Sequence, residues 1–434
     1  MDLRTAQALI RFGLGRRGEE PLPADPAVWL NDQLRQPDPA RIDPPPSTAT
    51  GLEALRFDRE TKPPAGQRVV PPLFKAQSSA DLENALTTSA PFRERLVWFW
   101  TNHFTVSVRG GTAAVLGAFV EEAIRPHVTA PFETMLMAVM HHPAMLIYLN
   151  NAQSVGPDSP AGQRSHRGLN ENLARECMEL HTVSPAAGYT QADVTNFAKV
   201  LTGWSIDLRS DPPGFRFRPF AHEPGEQVIM GRRFPPGEAG GVAVLHFLAN
   251  HPSTHRFLAT KLARHFVADD PPPDAVRHVE AALRDTGGNL GAAAASLITL
   301  DAVWQPGAKL RDPQDYVVAC LRALDLPPEK RANMNLPGMI GGLGQPFWNA
   351  PQPNGWGDRA SDWAAPEAMM RRIDWAYGIA GRVAAPQSGR DAADLAEATL
   401  GPLLSADTLQ AVRRAGSRRD AMTLLLTAPE FQRR

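Results

Sequence analysis

Cysteine is scarce in this chain, whose 434 residues include only Cys177 and Cys320. A disulfide framework or a four-thiolate zinc site needs more cysteines, so both are excluded. We interpret the two residues as reduced, buried thiols, with a single bridge between them as the alternative. A chain of this length can bury a substantial hydrophobic core without such crosslinks.

An excess of charge of one sign is also lacking, since 45 Lys+Arg face 46 Asp+Glu for a formal net charge of −1. That balance removes the electrostatic argument for nucleic-acid binding, which calls for a basic surface. The N-terminal segment lacks the apolar stretch of a signal peptide, and no window approaches the roughly 18 apolar residues of a membrane span. We therefore expect no membrane span and, by default, a cytoplasmic protein.

Two common hydrolase signatures, G-x-S-x-G and H-E-x-x-H, are absent as well. The glycines between Gly13 and Gly18 do have the spacing of a dinucleotide-binding fingerprint. That fingerprint requires a buried strand before it and a helix after it. Here a helical segment precedes the glycines and prolines follow them, so we interpret them as a helix stop.

Proline is abundant, with 41 residues, and it interrupts a chain of otherwise helical periodicity. The apolar spacing predicts a mainly α fold, a multi-helical globular body with proline-rich loops and no buried parallel sheet. Residues 37–78 are predicted to be a mobile, proline-rich loop. Residues 205–237 are predicted to be one irregular insertion, with room for a short β-hairpin. We expect a single helical domain over 1–434, with a subdivision into 1–204 and 238–434 as the alternative.

The segment that ends at Phe104 places a histidine on an apolar helix face. Phe92, Leu96, Phe99 and His103 recur at helical spacing. His103 is either a core histidine whose ring nitrogens are satisfied by its neighbours, or a metal ligand or proton carrier within an aromatic wall. The sequence leaves both interpretations open.

The densest group of polar residues lies within a predicted helix at 168–183. At about 100° per residue, three carboxylates, an amide and a guanidinium share one face: Glu171, Glu176, Glu179, Asn172 and Arg175. His181 points away from Glu176 unless the helix loosens, which Pro185 favours. The polar face is either a structural ion network or a functional site.

Two further features lie in irregular segments. His222-Glu223 falls in the insertion, from which a loop residue can reach into a site. Residues 345–356 are rich in Trp, Pro and Gly. They are predicted to form an ordered loop that either covers a pocket or packs against the helices.

Several of these segments are motifs that follow one another along nearly the whole chain: RFGLG at 11–15, FWTNHF at 99–104, HPAMLIYLNN at 142–151, NENLARECMELHTV at 170–183, GYTQADVTNFAKVLTGW at 188–204, HPSTHRFLATKLARHFVADDPP at 251–272 and GQPFWNAPQPNGW at 344–356. In this order they resemble the bacterial family known as domain of unknown function number 1800. The resemblance implies a helical fold and no particular activity. It covers His103, the polar residues from Asn170 to His181, and His222. In the family, the histidine that corresponds to His222 is usually followed by Asp, whereas this chain has Glu223 there.

The resemblance also implies a protein partner. Members of the family are often encoded beside a second uncharacterised family, number 1501, whose members look exported by the twin-arginine route. Export of this chain together with a signal-bearing partner is therefore the alternative to a cytoplasmic location.

The leading functional hypothesis is an enzyme with a buried His/Glu/Arg site that acts on a small polar or anionic substrate. Glu176 and Glu179 are expected to supply general acid and base groups, and Arg175 to anchor an anionic group. His103 is expected to carry protons. The site is expected between helices predicted at 91–106, 168–183 and 190–203.

Mixed histidine and carboxylate groups also suit a divalent transition metal such as zinc, iron or manganese. The expected ligands are His103, His181, His222 and Glu176. The alternative hypothesis is a non-catalytic binding or maturation partner of the co-encoded exported protein. In that case the polar face would be scaffold.

Overall fold

Helices dominate the computed structural model of the protein, which describes residues 1–165, 168–383 and 391–434. The N-terminal half begins with these elements: α1 Leu3–Gln7, continued by a π-helix at Ala8–Phe12, then α2 Pro26–Arg35, α3 Thr48–Thr61, α4 Val70–Thr87 and α5 Pro91–His103. The mainly α prediction is confirmed.

The prediction of a loop at 37–78 is wrong, because this segment contains α3 and the first half of α4. Ser47 caps α3 by accepting a hydrogen bond from the amide of Thr50, and Leu52 and Leu55 bury one side of the helix. Two prolines stand in the first turn of α4, where a missing N–H costs no helical hydrogen bond. Proline therefore delimits helices in this segment and does not abolish them.

The middle of the chain consists of short helices, several with π or 3₁₀ turns. They are α6 Leu116–Ala118, continued by a π-helix at Phe119–Ile124, then α7 Phe132–His141, α8 Pro143–Tyr148, α9 Pro160–Ser165, α10 Asn172–Glu176, continued by a π-helix at Cys177–His181, and α11 Gln191–Val200. Thr190 and Asp193 start α11 with a reciprocal capping box.

The irregular insertion is confirmed, and it contains two short antiparallel hairpins. β1 Trp204–Asp207 pairs with β2 Gly214–Phe217, with Trp204 opposite Phe217. β3 Gln227–Ile229 pairs with β4 Arg232–Phe234. The described residues form no larger sheet.

Helices resume after the insertion and continue to the end of the chain. They are α12 Glu238–Ala249, α13 Pro252–Phe266, α14 Pro273–Asp285, α15 Leu290–Ile298, α16 Pro313–Leu324, α17 Pro328–Arg331, α18 Leu336–Gly342, α19 Ala360–Trp363, α20 Pro366–Val383, α21 Ala392–Leu400, α22 Ala406–Arg413 and α23 Arg418–Thr427. Within the described part of the chain, no helix has both the length and the apolar character that a bilayer span needs.

Two hydrophobic cores organise these helices. The larger extends from Ala8 to Trp304 and includes residues on both sides of the insertion, such as Phe197 and Leu258. The smaller gathers residues of α16, α18 and α20–α23 with Ile10, Leu14 and part of α4. Along the chain, the boundary between the two cores therefore lies near residue 310 and not at the insertion. Trp348 packs against both cores.

Candidate functional site

A cleft of about 300 Å³ opens between α5, α13 and the loop that follows α18. Aromatic rings form much of its wall: Trp98, Phe99, Phe347, Trp348 and Trp356. Charged and polar side chains interrupt that wall, including His103 from α5 and Lys261 and His265 from α13. A cleft with apolar walls and a few convergent polar groups is the usual form of a small-molecule site.

The loop predicted at 345–356 lines this cleft and is held at its edge by Asn102. The Asn102 Nδ2 group donates to the carbonyl of Trp356 over 3.0 Å, and the amide of Trp356 donates back to Oδ1 over 2.8 Å. The neighbouring Gly355 has a φ of 78°, and a Cβ there would lie 2.5 Å from the carbonyl oxygen of Asn102. Only glycine allows the loop to approach α5 this closely.

His103 and Lys261 are in direct contact at the cleft. The Nε2 atom of His103 lies 3.1 Å from the backbone carbonyl oxygen of His181, and the Nζ atom of Lys261 lies 3.0 Å from Nδ1. Because a carbonyl oxygen can only accept, Nε2 carries the hydrogen and Nδ1 presents a lone pair to the amine. The histidine therefore acts as an acceptor toward Lys261.

The surroundings of this pair disfavour positive charge. Burial, together with nearby Lys261, keeps the pKa of His103 well below its usual value, so the imidazole is neutral. Burial likewise lowers the pKa of the half-buried Lys261 to about 8. Trp100 and Phe104 pack edge-on against the His103 ring. The pair combines a neutral imidazole with an amine that loses its proton readily.

His181 lies behind His103, with 5.9 Å between the ring centroids. It is 1% exposed, and neither of its ring nitrogens has a hydrogen-bond partner within the described structure. Burial and nearby Lys261 lower its pKa to about 3. The segment Cys177–His181 is a π-helix, so the helix does loosen there, and such π turns are common at functional sites. His181 nevertheless stays buried beside His103 and Phe104.

A second histidine in the cleft is paired with a carboxylate. His265, four residues after Lys261 on α13, places Nδ1 3.1 Å from Oδ2 of Asp358. The carboxylate only accepts, so Nδ1 carries the hydrogen, while the buried Nε2 has no partner among the described residues. Burial and the nearby Arg434 lower the pKa of His265 to about 4. This arrangement leaves a lone pair on an imidazole that a carboxylate orients.

A buried ion network lies next to this histidine. The carboxylate of Asp315 forms ion pairs with three guanidinium groups, those of Arg95 at 3.0 Å, Arg311 at 2.9 Å and Arg434 at 3.1 Å. Although burial opposes it, these cations hold the pKa of Asp315 well below its usual value. Each guanidinium group of the network has Asp315 as a partner of opposite charge, and the network braces α5 against α16 and the end of the chain.

The predicted catalytic residues on α10 and on the π-helix that continues it do not line the cleft. Arg175 bonds Glu171 and Gln191, each at 2.9 Å, and its side chain is 38% exposed. Glu176 and Glu179 are half-buried and form no hydrogen bond or ion pair with any described residue. Burial and the nearby Glu179 raise the pKa of Glu176. Of the four predicted catalytic residues, only His103 reaches the cleft.

The four predicted metal ligands are not brought together. In the described ranges, no three His, Cys, Asp or Glu side chains are grouped so that they could hold a metal. His222 lies in the insertion, with Nδ1 2.9 Å from the carbonyl of Thr202 and Nε2 accepting the amide of Gly237 at 2.7 Å. His103 is likewise committed through both nitrogens. Of the set, His103 and His181 are in ring contact.

Glu223, the residue at which the chain departs from the family pattern, serves the insertion. Its buried carboxylate accepts the amide of Asp158 at 2.9 Å and pairs with Lys199 at 3.3 Å. His222 and Glu223 therefore fasten the insertion to the loop before α9 and to the C-terminal end of α11.

Sequence reasoning missed Lys261, His265 and Asp358. The spacing of Lys261 and His265 places them on one face of α13, which is the signal that the sequence offered. Nothing in the sequence indicated that His265 pairs with Asp358, which comes from a loop 93 residues further along.

Comparisons with known proteins identify the family. No curated protein and no solved structure matches the chain. A family model described as "Protein of unknown function (DUF1800)" matches residues 7–433, nearly the whole chain, and the protein therefore belongs to that family.

Proposed function

We propose that the protein is an enzyme that acts on a small polar or anionic molecule bound in the cleft beside Lys261. One observation carries the proposal: the Lys261 amine lies 3.0 Å from the lone-pair nitrogen of a buried, neutral His103 in the cleft wall. An amine held there without a carboxylate costs stability, and such groups cluster at functional sites.

Lys261 and His265 are the reactive groups of the proposed site. A lysine whose pKa is lowered to about 8 is deprotonated often enough near neutral pH to react as a neutral amine. His265, oriented by Asp358, offers a base through its unpartnered Nε2. The roles that we predicted for Glu176 and Glu179 pass to these two residues, because the glutamates lie outside the cleft lining.

Arg264 is the proposed anchor for an anionic group. It is half-buried, lines the cleft and donates to the backbone carbonyl of Asp269 over 3.2 Å. No carboxylate of the described residues forms an ion pair with it, so its guanidinium is available to a ligand. This is the role that the sequence suggested for Arg175, which instead pairs with Glu171.

The proposed reaction uses only side chains of the protein, because the residues predicted as metal ligands do not form a group of three among the described residues. Elemental analysis of the purified protein tests this point independently.

The test combines ligand binding with turnover on a library of small carboxylates. We expect one or more members to raise the unfolding temperature of the wild type and to be consumed, as followed by NMR. Lys261→Met should abolish consumption while the protein stays folded, and the exposed His278→Asn serves as the matched control. Full turnover by Lys261→Met, or no binding and no turnover by any member, would overturn the proposal.

The competing hypothesis is a non-catalytic partner of a co-encoded exported protein of family number 1501. That role makes no use of the Lys261 amine. Co-expression with such a protein therefore separates the two: an equally stable complex with wild type and Lys261→Met, without turnover by either, favours the partner role.

A further inference from the structure

The buried and half-buried lysines of this protein are of two kinds, which differ in whether a carboxylate contacts the amine. Lys309 is buried and is held by the carboxylates of Asp269 at 2.5 Å and Asp358 at 3.7 Å. Lys199 is paired with Glu223 at 3.3 Å. Lys261 has no carboxylate of the described residues within ion-pair distance, and its partner is an uncharged nitrogen. The first kind has a carboxylate in contact with its amine, whereas the charge of Lys261 is favoured only by Asp358, which lies beyond ion-pair distance.

The partner of Lys261 also suits the attack of an amine on an electrophile. A neutral amine that forms a new bond must release a proton, and Nδ1 of His103 presents its lone pair 3.0 Å away. The opposite nitrogen is fixed by the carbonyl of His181, so the ring cannot turn its hydrogen toward the amine without losing that bond. The imidazole is therefore preorganised as a proton acceptor.

We propose that Lys261 is a nucleophile, and that the cleft takes a small aldehyde or ketone bearing a carboxylate, which Lys261 binds covalently as an imine. This inference rests on the proposed function and deepens it, because it names the reaction class and the substrate class of the same cleft.

The chemistry balances without an oxidant or a reductant. The nitrogen of Lys261 attacks the carbonyl carbon, a C–N bond forms, and the electron pair of the C=O double bond moves to oxygen. One amine proton reaches that oxygen through Nδ1 of His103. The second amine proton leaves with the resulting hydroxyl group as water, and the C=N bond forms.

The substrate class follows from the size and charge of the cleft. A volume of about 300 Å³ admits a small molecule and excludes a folded protein segment. Arg264, three residues after Lys261 on α13, offers a guanidinium that matches a carboxylate bidentately. The rings of Trp98 and Trp356 add apolar surface to the wall of the same cleft. A substrate with a carbonyl carbon at one end and a carboxylate at the other would place the first near Lys261 and the second near Arg264.

Reductive trapping with glyoxylate, a small aldehyde with a carboxylate, tests the inference. Full-length protein is treated with glyoxylate and cyanoborohydride at pH 7, and the carboxymethylated lysines are mapped by mass spectrometry. We expect Lys261 to react at least about tenfold faster than the exposed Lys62, because Nδ1 of His103 is in place to accept the proton that the attacking amine releases. Lys309 should stay unmodified. Lys261→Arg, which keeps the charge, should remove the fast reaction.

Two comparisons make the result specific. Arg264→Ala should slow trapping by glyoxylate and leave trapping by acetaldehyde, which has no carboxylate, unchanged. His103→Asn should slow both. A rate at Lys261 no greater than at Lys62 in the folded wild type overturns the inference. If small carboxylates then still raise the unfolding temperature and are consumed, the proposed function stands alone; if they do neither, both fail.

Discussion

The two charged regions around the cleft differ in how their charges are matched. At Asp315 one carboxylate meets three guanidinium groups at 2.9–3.1 Å, and every member has a partner of opposite charge. At Lys261 an amine and two buried imidazoles share a space with no carboxylate in contact. The first region stabilises the fold, whereas the second is maintained at a cost, which is the pattern of a site.

The largest expected effect is the loss of Asp315. Asp315→Ala leaves three buried guanidinium groups without their carboxylate and should lower the free energy of unfolding by on the order of 3–5 kcal/mol. Urea denaturation measures this, with the exposed Asp407→Ala as the matched control. A loss below about 1 kcal/mol would show that the network is not scaffold.

The two lysines near Asp358 should respond differently to the same substitution. Lys309→Met leaves Asp269 and Asp358 without their cation and should cost about 3 kcal/mol. Lys261→Met removes an amine that lacks a carboxylate, so its effect at pH 7 should be neutral or stabilising by about 1 kcal/mol. Equal losses in the two variants would remove the distinction between scaffold and site.

Acid should destabilise the cleft region through its neutral histidines. The pKa of His265 is lowered to about 4 and that of His181 to about 3, so below about pH 6.5 the unfolded chain binds protons that the folded chain does not. Stability should therefore fall as pH drops from about 6.5 toward these values. Between pH 7 and 5.5 the loss should be about 1 kcal/mol per histidine, and His265→Asn should remove one such share. An unchanged pH dependence in that variant would contradict the assignment.

The smallest effect is expected at the polar face of α10. Arg175 is 38% exposed and bonds Glu171 and Gln191 at the surface. Arg175→Ala should change the free energy of unfolding by less than about 0.5 kcal/mol. Glu179→Gln should be close to neutral as well. A loss of several kcal/mol in either would mean that this face, and not the cleft, holds the critical charges.

The parts of the fold that local periodicity encodes were predictable. Apolar spacing and capping residues predict α11 and α13. The buried position of His103 is predicted by the apolar residues that precede it at helical spacing. α3 was missed because flanking prolines obscured a helical run. The site was predictable only in part, since the partners of His103 and His265 come from distant segments. Such contacts depend on tertiary packing, which periodicity does not report.

The most direct test is the pKa of the Lys261 amine, measured by NMR of the intact protein with isotope-labelled lysine. Lys261→Arg assigns the signal, and the exposed Lys62 supplies the reference within the same spectra. The structure predicts a value of about 8 for Lys261, well below the value of about 10.4 that is typical of lysine in model peptides. A value for Lys261 as high as the reference would contradict the conclusion that the cleft holds a reactive amine.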